Sequence, residues 1–575
     1  MVLKSPYPAL PPIPPINAHL FYCRRPDQKE WPDFPLHVDV ETGEKVLRKE
    51  FLSRVEVLST GLATPVAEGG LGLGEGEMVG VMGENSTEYI TLLHSLLWIT
   101  TPFALISSHS TSFELEHALK LSKVTSLFVD LKFLDRVAPV AKKCGIKQDR
   151  IFLLRTQGKK SPKPMKGKKT FWSLSQEVKR KNIPSIPLRA AGKDTLAYLV
   201  FSSGTSGLPK AVMISHGNMI TAGMQLATVA QAALAILPPP PPGVPTALAF
   251  LPLHHTYGLH SYAFRGMLAP ASFVIVPKWD IKIVLRAIPK YKITSLPLIP
   301  SIVHQIVTHP GVEKVDFSSI LTMSSGAAYL PPKLYNQLKK IVPGEVRFLE
   351  GYGMSEATMG AVTQPVDGLL GLKHIVGCTG VLLPSMEARI VLDDGSDAKT
   401  NEAGELWLKG DNIALGYWNN EKANQETFVD GWLKTGDKFY VNEEGYFWFA
   451  DRVKDTLKVS GAQVSPVEIE NCLLAHPDKL ITDASVAGVS GGRTSDEKIP
   501  RAWVALSPAG KKLGKGEVVK ALDAWHRENL SSYKHLRGGI EIVDTIPKSP
   551  TGKTLRRVLQ EKYEARMKRR AKAKL

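Results

Sequence analysis

Along the first two thirds of the chain, short apolar runs alternate with stretches that carry an apolar stripe at helical spacing. Met78–Met82 is a brief apolar run of the kind a buried strand shows. Asn85, with Glu88 three residues on, reads as the cap of a helix striped by Tyr89, Leu92, Leu93, Leu96 and Leu97. Thr111 and Glu114 form a capping box ahead of Leu115, Ala118 and Leu119, and Ser126–Val129 reads as the next buried strand. This alternation predicts an α/β fold of layered, largely parallel sheets.

Past about Gly380 the pattern changes to half-exposed strands. Glu405–Lys409 alternates, and Lys438–Val441 and Tyr446–Phe449 flank the turn Asn442–Gly445 as a hairpin. Beyond Arg452 a smaller α+β pattern begins. Ser465 caps a helix with Pro466 at its first position and Glu468 at its third, and Val518, Val519, Leu522 and Trp525 stripe another. The predicted organisation is a large N-terminal domain, residues 1–453, with a β subdomain at its end, and a small α+β lobe, residues 454–575. Ala222–Leu237 is shorter than the roughly 18 apolar residues of a membrane span, holds Gln225 and Gln231, and runs into the prolines 238–242. No transmembrane segment is predicted, and the proline run reads as a stiff surface connection.

Composition sharpens this picture. The chain of 575 residues is 43% hydrophobic and 22% charged, which excludes wholesale disorder and fibrous architecture. Its net charge of +17 would suit a nucleic-acid binder, but the excess is confined to two segments. Arg155–Lys181 holds ten Lys/Arg and one acid, Lys548–Leu575 holds eleven and two, and the remainder is left at −1. Charge so localised, without stacking aromatics or a groove-reading motif, predicts no nucleic-acid partner. Cys23, Cys144, Cys378 and Cys472 include no close pair, which excludes a disulfide scaffold or a CxxC metal knuckle and suits a reducing compartment. The N-terminus is broken by prolines and lacks the apolar core of a signal peptide. Ala573-Lys574-Leu575 has the small–basic–Leu form of a peroxisomal address read by an import receptor. The alternative is a lysine-rich cytoplasmic tail.

The strongest local chemistry lies between Tyr198 and Lys210. A buried strand feeds a turn holding Ser202, Ser203, Gly204, Thr205, Ser206 and Gly207 before Lys210. Glycine-freed backbone N–H groups and hydroxyls can wrap phosphate oxygens while the lysine adds charge. The Walker spacing is absent and a strand-like run, Ala211–Ile214, follows in place of a helix, so a P-loop kinase or ATPase is excluded. His254 and His255 have no Cys, Asp or Glu at ligand spacing, which argues against a metal there.

The turn resembles the phosphate loop of the adenylate-forming superfamily, the group of acyl-CoA synthetases and 4-coumarate–CoA ligases. Further motifs of that family follow in order: LPLHHTYGL (Leu251–Leu259), SSGAAYL (Ser324–Leu330), GYGMSEA (Gly351–Ala357), GWLKTGD (Gly431–Asp437), the run from Asp451 to Glu470, and PKSPTGKTLRR (Pro547–Arg557). The resemblance covers roughly Gly76 to Arg557 and implies ATP, Mg²⁺ and coenzyme A. A carboxylic acid would attack the α-phosphate of ATP, and the coenzyme A thiol would then displace AMP from the acyl-adenylate. By the same resemblance, Lys553 is the lysine that bridges carboxylate and α-phosphate, and Glu356 holds Mg²⁺. Ser355 stands where the family usually has Thr. Tyr352 stacks on adenine, Gly326, Ala327, Gly351 and Gly353 line the nucleotide and acyl site, and Asp437 accepts the ribose hydroxyls with support from Arg452. His255 gates the carboxylate, and Tyr257, Ala328 and Met354 wall the acyl pocket. His254 reads as packing. Lys454 stands at the hinge about which the small lobe turns to exchange Lys553 for the face carrying Lys458 and Gly461, where coenzyme A would enter.

Thr100–Leu105 departs from the family's usual Gly-Ala pattern without removing a catalytic position. Two alternatives stay open at this stage: a carrier protein or oxygen as acceptor, and a silent nucleotide- or acyl-binding homologue. The expected substrate is an aryl, hydroxycinnamate-like or medium-chain acid.

Overall fold

The computed structural model describes residues 2–155, 167–202, 209–237, 243–326, 330, 332–344, 346–452, 457–459, 462–464, 466–490, 498–530, 534–548 and 554–572. Apolar runs too short for a helix have become strands buried on both faces. β1 (Val79–Met82), β2 (Phe103–Leu105), β3 (Ser126–Val129) and β4 (Ile151–Leu153) are buried throughout and pair in parallel, in the order β2, β1, β3, β4. Parallel pairs need crossovers, which α1 (Thr87–Trp98) and α2 (Ser112–Ser122) supply. β5 (Leu196–Ser202) joins β2 in parallel, then doubles back antiparallel as β6 (Lys210–Ser215), which leads into α3 (His216–Leu234).

A second sheet is built the same way. β7 (Thr246–Ala249), β8 (Ser272–Ile275), β9 (Ser295–Leu298), β10 (Thr322–Ser325) and β11 (Arg347–Tyr352) are parallel, in the order β11, β10, β9, β7, β8. The striped face of α1 is buried in the same apolar cluster as Leu248, Val274 and Leu296 of this second sheet, so α1 is the layer that joins the two. The Thr111–Glu114 capping box of α2 is present, at 2.7 and 3.3 Å. The cap of α1 lies one residue later than the pattern predicts, at Ser86. Asn85 is drawn elsewhere: its Nδ2 donates to the Leu251 carbonyl at 2.9 Å and its Oδ1 accepts from Leu253 N–H at 3.0 Å.

The expected β subdomain is an antiparallel sheet containing β12 (Glu387–Val391), β13 (Gly404–Lys409), β14 (Trp432–Val441) and β15 (Phe447–Arg452), with the predicted hairpin closing at Val441 opposite Phe447. The C-terminal part has its own apolar core, in which Ile469 and Leu473 meet Val486, Val504, Val518 and Leu522. It comprises α4 (Pro466–Leu474), β16 (Ile481–Ser490), β17 (Lys498–Leu506), α5 (Lys515–Asn529), β18 (Ile540–Val543) and α6 (Arg556–Lys572). The fold is thus mixed α/β with a small α+β C-terminal unit, as the pattern predicts. Ser465 and the prolines 238–242 lie outside the described residues. No described helix is long and apolar enough to cross a membrane, and the four cysteines are free.

Candidate active site

The carboxyl ends of β5, β10 and β11, with the segment His254–Tyr257 that follows β7, open toward one cavity of about 1240 Å³, the usual place for a ligand in a parallel sheet. Ser202 and Lys210 face each other across the β5–β6 ladder and line it. The predicted phosphate-loop residues between them, Ser203, Gly204, Thr205, Ser206 and Gly207, lie outside the described residues. The Lys210 ammonium sits 4.6 Å from the centre of the Tyr417 ring, and the Tyr417 hydroxyl donates to Glu356 Oε1 at 2.9 Å. Burial pushes the Tyr417 phenol well above its ordinary value and keeps it a donor. Glu356 itself is only 3% exposed, so its charge needs such a partner. Its main chain is pinned by the Ala414 N–H at 2.8 Å. His117 Nε2 donates to the Pro209 carbonyl at 2.9 Å, holding one end of the Ser/Gly turn.

A second group lies at the end of β11. The Tyr352 hydroxyl donates to Asp437 Oδ2 at 2.7 Å, and its ring meets Phe439 edge-on at 4.9 Å. Asp437 lies opposite Arg452 in the β14–β15 ladder; the Arg452 side chain lies outside what is described. Glu405 receives the Gly436 N–H at 2.9 Å and the Trp407 indole N–H at 3.0 Å, fixing the turn before Asp437. Gly351 and Gly353 line the same wall. A Cβ on Gly353 would fall 1.6 Å from the Met359 carbonyl oxygen, so no other residue fits without moving the backbone.

The third wall is formed by the LPLHHTYGL segment. His255 caps the short helix Thr256–Leu259, its Nδ1 accepting the Tyr257 N–H at 3.3 Å. Tyr257 and Ser324 share a hydrogen bond at 3.1 Å, and Thr256 and Ser355 another at 3.0 Å. Burial lowers His255 to about 4, and burial, then His255 and His109, lower His254 to about 3, so both imidazoles are neutral at pH 7. His254, expected to be packing, contacts Ser107 Oγ at 3.2 Å and lines the cavity as well. Gly326 and Met354 line it too, whereas Ala327 and Ala328 lie outside the described residues. Beyond Tyr257 the cavity continues past Tyr262, Arg265, Phe273 and Pro297.

From the small lobe, Lys548 reaches a second cavity of about 390 Å³ that shares His254, His255 and Tyr257 with the first, and Lys548 pairs with Asp483 at 2.5 Å. Lys553, Lys454 and Gly461 lie outside the described residues, and Lys458 is described only by its backbone in the strand Leu457–Val459. Tyr417, Glu405, His117 and Arg265 are not among the site residues that the sequence motifs point to. Tyr417 is 61 residues from Glu356, and the pairing of Gly416–Tyr417 with β6, together with the Ala414 N–H bond to the Glu356 carbonyl, brings it there. No local spacing announces such a contact.

Comparison with known proteins places this geometry. Residues 26–418 match the model of the AMP-binding enzyme family, and residues 468–553 match that of the AMP-binding enzyme C-terminal domain. A probable 4-coumarate–CoA ligase 1 of Dictyostelium discoideum is 31% identical over 536 residues, 92% of each chain. A peroxisomal OPC-8:0-CoA ligase 1 of Arabidopsis thaliana is 30% identical over 564 residues, 97% of this chain and 94% of that one. The fold is shared with the crystal structure of an anthranilate CoA ligase in complex with anthranoyl-AMP, at a TM-score of 0.79, 24% identity and coverage of 98% and 99%.

Proposed function

Since the chain belongs to the AMP-binding enzyme family, we propose that it is an ATP-dependent acid–thiol ligase. It joins a carboxylate to the α-phosphate of ATP with loss of pyrophosphate, then passes the acyl group to the coenzyme A thiol with loss of AMP. The observation that carries this reading is the convergence of Lys210, Glu356, Asp437 and two neutral histidines on one cavity that runs on past Tyr262, Arg265, Phe273 and Pro297. The names of the two relatives, a 4-coumarate and an OPC-8:0 ligase, support an aryl or medium-chain acid as substrate.

Each group then has a task. Lys210 and the Ser202–Gly207 turn bind phosphate oxygens and offset their charge as the anionic acid approaches. Asp437, an ionised acceptor, takes the ribose hydroxyls with Arg452 beside it, while the Tyr352 ring flanks the base between Gly326, Ala327, Gly351 and Gly353. Neutral His255 stands beside the carboxylate without trapping it as a counter-ion would. Tyr257, Ala328 and Met354 wall the acyl chain. Glu356 with the Ser355 hydroxyl forms an all-oxygen donor set that suits a hard cation. These residues would hold Mg²⁺, which supplies positive charge to the phosphates when bound. Lys553 serves the first half-reaction, and rotation about Lys454 replaces it with the Lys458–Gly461 face for the second. Ala573-Lys574-Leu575 is a peroxisomal address in this reading, and the peroxisomal name of the Arabidopsis relative supports it.

Acid-dependent exchange of pyrophosphate into ATP tests the first step, and AMP release that requires coenzyme A tests the second. Lys553→Ala should abolish exchange while leaving preformed acyl-adenylate able to react with coenzyme A. Exchange without coenzyme A dependence would point to another acceptor, and loss of both half-reactions in the variant would overturn the assignment of Lys553.

A further inference from the structure

Resting on the ligase reading above, we infer that this enzyme selects acids bearing a second carboxylate at the end remote from the reacting one, and that Arg265 receives it. The helix that His255 caps continues through a π turn, His260–Phe264, into Arg265–Met267. The Arg265 N–H bonds to the His260 carbonyl five residues back, the wide-turn geometry that recurs at functional sites. The widened turn sets Ser261, Tyr262, Arg265 and Gly266 on the cavity wall.

Among the described residues the Arg265 guanidinium has no hydrogen bond and no ion pair. Burial pulls it below its ordinary value, and the ionisable groups that offset this are the Tyr257 and Tyr22 phenols, not an acid. Of the other carboxylates on the cavity wall, Glu356 meets Tyr417, Asp437 meets Tyr352, Glu405 meets Gly436 and Trp407, and Glu114 meets the Thr111 N–H, while Glu350 and Glu426 also line the cavity and neither is among the groups that offset the burial of Arg265. One turn before Arg265, the Ser261 hydroxyl is also buried and without a partner among the described residues. An enclosed cation and an unmet hydroxyl on one cavity wall are unfavourable until an anion completes them. A carboxylate does so with the bidentate geometry a guanidinium presents. His255 and Arg265 stand ten positions apart along a helix of α and π turns, an axial rise of roughly 10–15 Å, which points to a medium-length diacid.

The test compares sebacate with decanoate, acids of equal chain length, in pyrophosphate exchange with the wild type, Arg265→Met and Arg265→Lys. The wild type should favour sebacate by about tenfold or more in kcat/KM, because a site built to pair a polar group rejects the analogue lacking it. Arg265→Met should lose that preference and gain activity on decanoate, with the change in KM, while Arg265→Lys should keep part of it. Sebacate without ATP should raise the Tm of the wild type and not of Arg265→Met. Exchange that proceeds with no preference for sebacate, or an equal loss on both acids in Arg265→Met, overturns this inference and leaves the ligase reading standing. No exchange with any acid overturns both.

Discussion

At the scale of single residues, the site depends on buried charges that other side chains hold in place. Glu356 is the clearest case, since its carboxylate is enclosed and meets the Tyr417 hydroxyl, whose ring in turn carries the Lys210 ammonium. Removing one partner of a buried ionised hydrogen bond costs about 1–3 kcal/mol, and each 1.4 kcal/mol is a factor of ten. Tyr417→Phe keeps the ring against Phe428 and under Lys210 but withdraws the donor. It should lower kcat/KM for ATP in the exchange assay by about ten- to a hundredfold and raise the Mg²⁺ concentration needed for half activity. Unchanged kinetics would show that Tyr417 only packs. Glu356, Asp437, Tyr352 and His255 were each legible from a local motif. Tyr417, Glu405 and Arg265 were not, because what distinguishes them is the neighbour they meet or lack, and that is decided by chains far apart in sequence.

At the scale of elements, the pattern of apolar positions predicted types well and ends less well. The capping box at Thr111 and Glu114 formed as read, whereas Asn85 was diverted from capping α1 to holding the Leu251–Leu253 backbone just ahead of His254. Its amide was worth more to those buried main-chain groups than to a helix end that Ser86 could serve. In the C-terminal unit, Glu470 of α4 takes Arg556 of α6 through contacts of 2.8 to 3.2 Å and also receives the Val486 N–H at 2.6 Å. Both side chains are largely enclosed, so losing one leaves a buried charge and a penalty of about 3–5 kcal/mol. Glu470→Ala should therefore sensitise the C-terminal unit to limited proteolysis and lower its denaturation midpoint. Adding Arg556→Met should recover part of that loss. Additive losses in the double variant would mean that the pair is not coupled.

At the scale of the whole molecule, the layered sheets enclose a set of histidines that burial holds neutral. His37, His254 and His260 are lowered to about 3 and His94, His216 and His255 to about 4, in each case with desolvation as the leading cause. In the unfolded chain these groups titrate near 6.5, so between about pH 6.5 and 4 the unfolded state binds more protons than the folded one. Stability should be full above that window and fall as pH drops through it. Differential scanning calorimetry should show Tm decreasing steeply from pH 6.5 to 4.5, with uptake of several protons on unfolding at pH 5. A flat Tm over that range would contradict the burial of these rings.

What the sequence by itself determined is whatever is local. Period-two and period-3.6 patterns determined strands and helices, and the Ser/Gly turn, the Gly-Tyr-Gly segment and the other motifs determined the family and the reaction class. The +17 charge was likewise legible as two basic segments on a nearly neutral remainder. Tertiary structure alone decided that Tyr417 reaches Glu356 across 61 residues, that Tyr352 reaches Asp437 across 85, and that Arg265 faces the cavity without a counter-ion among the described residues. The physical reason is that burial and pairing are properties of space, not of sequence distance. A side chain's partner, its charge state and the ligand it asks for are settled only when sheets and loops distant along the chain have closed around it.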